Sequence, residues 1–183
     1  LTKSLVKSTR DIRVDHIVLL DNDQQKLKTY GEISRELSRR LDPDLTFEVT
    51  SDARAALTGV DYIITTIRAG GDAGRLFDEQ TCLAHGVLGQ ETTGAGGFAM
   101  AIRSVPTLVY YCTLAREVAN PGHLIFNFTN PSGIITQALR SKGFDNVYGI
   151  CDAPSGFIKQ LEEILEIPYG TLDIECYGLN HLS

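Results

Sequence analysis

The 183-residue sequence has no C-x-x-C pair, no excess of positive charge, no internal repeat, and no unbroken apolar run near the roughly 18 residues that a membrane-spanning helix needs. Each absence excludes a class. The four cysteines, Cys82, Cys112, Cys151 and Cys176, stand far apart, which suits neither a disulfide framework nor a zinc knuckle and predicts a reducing, cytoplasmic compartment. Lys and Arg number 17 against 23 Asp and Glu, and the resulting net charge of -6 has the wrong sign for a nucleic-acid backbone or an anionic lipid surface. No nucleic acid and no membrane partner is therefore expected. The opening LTKSLVKSTR lacks the apolar stretch of a signal peptide, so a soluble, uncleaved chain is expected. It does not start with Met and stops just after His181, which reads as a fragment. What is present, 43% apolar residues with no low-complexity or linker segment, suffices for one packed domain.

The pattern along the chain alternates. HIVLLDND (16–23) reads as a buried strand running into a helix on which Leu27, Tyr30, Ile33, Leu37 and Leu41 form an apolar face, ended by Pro43. Strands are expected at 45–50, 61–67, 123–129, 146–150 and 171–178. Helices are expected at 52–58, 76–85, from Phe98 to about Val118 with a kink or restart at Pro106, from 130–133 to about Ser141, and after Pro154 with Ile158, Leu161 and Ile164 on one face. Near-continuous apolar strands separated by helices predict an α/β fold with a doubly wound parallel sheet.

In such sheets ligands sit beyond the carboxyl ends of the strands. Asp21 ends the first strand, where a dinucleotide fold places the acid that meets a ribose hydroxyl; Asp21 or Asp23 as a plain helix cap is the alternative. The G-x-G-x-x-G turn expected one strand upstream is absent. Arg68 precedes a Gly pair that lets backbone approach a ligand, or merely turns the chain. Arg75, read as the start of the next helix, suits a phosphate, with a solvated surface role as the alternative. GQETTGAGG (89–97) is hard to explain by packing and looks like a binding loop, in which Glu91 either bonds substrate hydroxyls or holds loop amides. Of the two asparagines in NFTNPSG, Asn130 is the better ligand, because an amide both donates to and accepts from a sugar hydroxyl. Cys151 and His181, each after a strand, form a plausible two-ligand set for a divalent metal, against a buried thiol and a structural imidazole. Asp152 beside them is either a general acid or a helix cap.

Taken together, LLDND, GVDYIITTIRAGG, HGVLGQETTGAGGFAMAIRSVP, FNFTNPSGIITQAL, YGICDAP and YGLNHLS resemble glycoside hydrolase family 4, the NAD- and metal-dependent glycosidases, and most of all its 6-phospho-β-glucosidase branch. The resemblance implies a Rossmann-type domain of the lactate and malate dehydrogenase kind over residues 1–150, lacking its first strand, and the start of a C-terminal α+β catalytic part over 151–183. It assigns Cys151 and His181 to the metal, usually manganese. Asp21 and Arg68 are expected to face NAD, and Arg75, Glu91 and Asn130 to face the substrate. Asp152 falls where phospho-β-glucosidases commonly have Asn and phospho-α-glucosidases have their acid.

The implied reaction is redox elimination. NAD takes hydride from C3 of the sugar, the C2 proton is lost with metal stabilisation of the enolate, the glycosidic bond breaks, water adds, and the hydride returns. Family 4 is in this respect an exception to two-carboxylate glycoside hydrolysis. The substrate is expected to be a phosphorylated disaccharide or aryl glucoside and the full-length protein a homo-oligomer, dimer or tetramer. The base Tyr of the family and its glycine-rich turn have no counterpart in this chain, which alone is expected to be inactive. Two rivals remain: a hydroxy-acid dehydrogenase on the same fold, and a non-catalytic Rossmann-type module.

Overall fold

The computed structural model describes residues 2–12, 14–178 and 181. Every ladder in it is parallel. β1 (His16–Leu20) pairs with β2 (Thr46–Thr50), and β4 (Leu124–Asn127) lies between β3 (Tyr62–Thr65) and β5 (Val147–Gly149). Parallel neighbours need crossovers, and helices supply them: α2 (Gln24–Leu41) between β1 and β2, and α6 (Ser132–Ser141) between β4 and β5. The α/β reading with parallel strands holds. The strands form two sheets because, among the described residues, none pairs with both β1 and β3. Contacts divide the chain into two compact units, Leu1–Val60 with Leu114–Asn120 and Asp61–Thr113 with Pro121–Ser183.

In the first unit Asp23 caps α2, its carboxylate accepting the N–H groups of Gln25 and Lys26. The apolar face expected on α2 is only partly buried. Leu27 is covered, but Tyr30 is 62% exposed and Ile33 60%, whereas Gly31 and Ser38 are buried. Small residues decide the packing face, because they admit close neighbours. A Cβ on Gly31 would come within 2.8 Å of Val49 on β2, and Ser34 meets Thr2 of α1 (Thr2–Ile12) at 3.4 Å. Asp52 caps the short α3 (Ala53–Leu57) in the same way as Asp23 caps α2. On the outer surface hydrogen bonds from Arg39 and then Arg40 bring the Glu36 carboxyl down to about 2.

The second unit is built on Met100, Leu108, Ile125, Ile135, Leu139 and Val147, all buried; each such side chain contributes about 1.5–3 kcal/mol through lost contact with water. α4 (Gly71–Ala84) starts five residues earlier than the sequence suggests, because Gly70, at φ 84°, turns the chain into the helix directly. α5 (Gly94–Val118) runs through Pro106, which forgoes one helical hydrogen bond without ending it. By length and composition α5 is apolar enough to cross a membrane, a property hidden from a search for unbroken apolar runs because Arg103 interrupts it. One face of it lies in the core, where Met100, Ala101, Ser104, Leu108 and Cys112 are buried, while Phe98, Ile102 and Tyr110 are exposed.

Two expectations about the C-terminal stretch fail. Residues 171–178 form no strand, since no ladder partner exists for them among the described residues. On α7 (Ala153–Ile164) Ile164 is 75% exposed, and the one buried residue is Glu162.

Candidate active site

β5 delivers Cys151 to the end of the three-stranded sheet. The Ile150 N–H donates to the Asn127 carbonyl at 3.0 Å, so the chain leaves the sheet only at Cys151 itself. The thiol is half-buried and opens on a groove of about 740 Å³ whose walls include Ser132, Thr136, Arg140 and Gly149. Cys151 Sγ lies 3.7 Å from His181 Nε2, across thirty residues of sequence. At this separation a thiolate sulfur and an imidazole nitrogen could both reach one divalent ion. The pair therefore fits a shared divalent metal. Among the described residues no third Cys, His, Asp or Glu joins them. Asp152 takes the N-cap position of α7 with Pro154 in the first turn, yet its exposed carboxylate makes no cap hydrogen bond. The capping alternative for Asp152 is thus not realised.

At the end of β4 the two asparagines separate cleanly. Asn127 is fully buried. Its Oδ1 accepts from Thr65 Oγ1 at 3.0 Å and from the Thr129 N–H at 3.2 Å, while its Nδ2 donates to Thr136 Oγ1 at 3.2 Å and to the Thr129 and Ser132 carbonyls. That amide is spent on the strand-to-helix turn. Asn130, three residues on and half-buried, precedes Pro131 by a cis peptide bond.

Beyond β3 lies a charge cluster. Glu91 Oε2 is 3.0 Å from Arg68 Nη1 and 3.0 Å from Arg75 Nη1, with only 15% of the Glu91 side chain exposed. Arg75 Nε also donates to Glu79 Oε1 at 2.7 Å, and Arg68 Nε faces Asp72 at 3.4 Å. The hydrogen bond to Glu79, then the charge of Glu91, push the Arg75 pKa up. Because α4 begins at Gly71, Arg75 lies in its second turn and not at its free N–H groups, which corrects the helix-start placement.

A brace that sequence reading missed holds this cluster. Arg103 of α5 makes a two-pronged ion pair with buried Asp78 of α4 and donates to the Ala69 carbonyl at 3.3 Å, just after Arg68. Its signal was visible as a charge inside a helix whose other charged residues, Arg116 and Glu117, stand at its end. Three of the four glycines of 89–97 also have a packing reason, and the fourth, Gly94, stands at φ 64°. A Cβ on Gly89 would sit 2.5 Å from the Glu79 carbonyl, one on Gly96 2.5 Å from the Gln90 carbonyl, and Gly97 lies as tightly on Thr92. Gln90 closes the loop by accepting the N–H groups of Thr92 and Thr93. Glu91 is the residue of that loop whose side chain reaches the two arginines. Among the described residues no hydrogen bond or ion pair joins this cluster to Cys151 and His181.

In the first unit Asp21 follows β1 and accepts the Asp23 N–H through Oδ1 at 2.9 Å, leaving Oδ2 for another donor. Asp23, not Asp21, is the helix cap.

Comparison with known proteins bears on these groupings. The chain is 36% identical to the 6-phospho-beta-glucosidase BglT of Thermotoga maritima over 185 aligned residues, covering 100% of this chain and 43% of the relative. It is 36% identical to the phospho-alpha-glucosidase PagL of Clostridium acetobutylicum over 171 residues, covering 91% and 38%. The 6-phospho-beta glucosidase structure from Thermotoga maritima with manganese, NAD+ and glucose-6-phosphate superposes with a TM-score of 0.88 at 34% identity, over 99% of this chain and 44% of that one. Malate dehydrogenase from Naegleria fowleri, at 14% identity and a TM-score of 0.59 over 84% of this chain and 43% of that one, shares the fold alone. The chain thus spans about two fifths of the length of the curated relatives it matches. Residues 1–167 match the family described as family 4 glycosyl hydrolase, and the chain belongs to that family.

Proposed function

We propose that the full-length protein hydrolyses 6-phospho-glucosides of β configuration with NAD and a divalent metal, manganese first, and that this chain carries the metal ligands with part of the cofactor and substrate contacts. The observation that carries the reading is the 3.7 Å approach of Cys151 to His181. The thiol and the imidazole meet at the exposed end of a strand, where both are open to an ion. The Thermotoga maritima structure, with manganese, NAD+ and glucose-6-phosphate, supports the same cofactors and substrate class, and the similarity to BglT supports β.

When bound, the metal supplies Lewis-acid polarisation of a sugar oxygen and NAD a reversible hydride acceptor. The chain's own residues bind and orient. Cys151 and His181 hold the ion. Glu91 locks the guanidinium forks of Arg68 and Arg75 in place and offsets part of their charge, so their remaining N–H groups serve anions: the 6-phosphate for Arg75, the cofactor for Arg68. Asn130 offers its amide to a sugar hydroxyl, and Asp21 Oδ2 offers an acceptor to the ribose. In this reading residues 1–150 are the NAD-binding part and 151–183 begin the substrate part. A cytoplasmic homo-oligomer follows from the substrate, since phosphorylated sugars are made inside cells, and from the family.

One observation favours a second reading, a 6-phospho-α-glucosidase: Asp152 presents an exposed carboxylate that no helix cap consumes, as a general acid requires. The test of the main reading is turnover of an aryl 6-phospho-β-glucoside by the full-length protein with manganese and a reductant. Phenol release without net NADH supports it. One NADH per product identifies a hydroxy-acid dehydrogenase-like reaction and overturns it.

A further inference from the structure

Glu162 is the one buried residue of α7, 2% exposed, on a helix whose apolar Phe157 and Ile164 face solvent. A carboxylate is costly to bury unless donors meet it. Here the donors come from the segment after the helix. The Leu172 N–H donates to Glu162 Oε1 at 2.9 Å, and the N–H groups of Gly170 and Thr171 face the same carboxylate, whose Oε2 is buried without a hydrogen-bond partner among the described residues. The Glu162 carbonyl adds a second tie, accepting the Ile167 N–H at 3.1 Å.

The position of these ties matters because of the groups at the two ends. α7 starts at Ala153, two residues after Cys151, and is a rigid bar from the thiol to Glu162. The chain from 165 to His181 has no helix or strand among its described residues. It is fastened to the bar at Glu162, and it returns to the start of the bar at the Cys151–His181 approach. Without the side-chain clasp the run from the last tie described to the imidazole lengthens from nine residues, 172 to 181, to fourteen, 167 to 181, because the backbone tie of Ile167 remains.

We propose that Glu162 is a positioning residue for the metal pair: its carboxylate fastens residues 170–172 to α7, so that His181 is presented to Cys151 before any ion binds. The proposal rests on the reading of Cys151 and His181 as metal ligands. Loop-closure entropy alone makes loss of the clasp worth roughly two-fold in ion affinity. Loss of orientation, as for other partners that orient ligands from behind, carries the effect toward about ten-fold.

The test uses the full-length protein and cobalt(II) as probe, whose thiolate-to-metal absorption reports the Cys151 bond directly. E162L removes the acceptors, and E162Q keeps the shape and one acceptor but not the charge. The expected result is an apparent cobalt Kd raised about ten-fold in E162L and three-fold in E162Q, at a temperature well below both melting points, with the same absorption per bound ion at saturation. In the metal-free protein the Leu172 amide is expected to exchange its hydrogen faster in both variants. A role in stability alone would lower the melting temperature and leave the Kd unmoved. A Kd unchanged from wild type in both variants overturns the proposal. If E162L does not fold, E162Q decides, and an unchanged Kd there overturns it. Absence of the thiolate band in the wild type defeats the metal reading itself, and this proposal with it, which separates that failure from an unchanged Kd beneath an intact band.

Discussion

Cys151 Sγ and His181 Nε2 stand 3.7 Å apart, one at the end of β5 and the other thirty residues on, past a helix and a stretch with no helix or strand among its described residues. A strand end fixes the first group and a folded-back segment brings the second. This division of labour places the thiol firmly and makes the imidazole's position depend on whatever fastens that segment, which in this chain is Glu162.

The two asparagines of NFTNPSG should separate stability from binding. Asn127→Ala removes the partner of Thr65, Thr129 and Thr136 in a buried turn, and is expected to cost about 2–4 kcal/mol in denaturant unfolding. Asn130→Ala is expected to leave the unfolding midpoint unchanged and to raise KM. Equal loss of stability in both would contradict the assignment.

Arg75 should recognise phosphate through its fork. Arg75→Lys keeps the charge but loses the paired N–H geometry. It is expected to lower kcat/KM about ten-fold for 6-phosphorylated aryl glucosides and to leave the plain glucosides, which are expected to be poor substrates, unaffected. The same fall on both substrates would show that Arg75 only braces Glu79 and Glu91.

Asp152→Asn probes the leaving group. Proton donation contributes about 10² to 10⁴ in rate and matters most when the departing alcohol is a poor one. If Asp152 is the acid, the variant loses turnover on disaccharide phosphates far more than on aryl glycosides with acidic phenols. A small, equal fall on both assigns it no proton. Preference of the unmutated enzyme for maltose 6-phosphate over cellobiose 6-phosphate would place the protein on the α side.

Glu162 also makes a pH prediction. In the folded protein the N–H group of Leu172, with those of Gly170 and Thr171, holds its carboxyl below the ordinary value of 4.5. The unfolded chain therefore binds that proton more readily, so the stabilisation is complete above the ordinary value and is lost as pH falls through the folded one. Unfolding midpoints of wild type and E162Q, compared by urea titration, should keep a constant gap from pH 7 to 6 and converge below about pH 4.5. A gap that does not change with pH would contradict an ionised Glu162.

Much of the site could be read from residue order because strand ends are local events. HIVLL, YIIT and LIFN announce their strands, and the residues just after each strand lie at a sheet end whatever the rest of the chain does. Other features depended on partners distant in sequence. The packing face of α2 went to Gly31 and Ser38 because α1 and β2 come close there, which no periodicity of α2 alone reveals. The glycines of 89–97 looked like a ligand loop because the carbonyls of Glu79 and Thr92 that crowd them are supplied by the fold. Residues 171–178 alternate like a strand, but a strand exists only with a neighbour, and their anchor proved to be a buried carboxylate.

The central claim is that Cys151 and His181 together hold one divalent metal. Calorimetric titration of manganese(II) into the full-length wild type, Cys151→Ser and His181→Ala, each also titrated with NAD, tests it most directly. The account predicts one manganese per wild-type chain, affinity lowered more than about 100-fold in either variant, and NAD affinity nearly unchanged in both. Wild-type manganese affinity in both variants would contradict it.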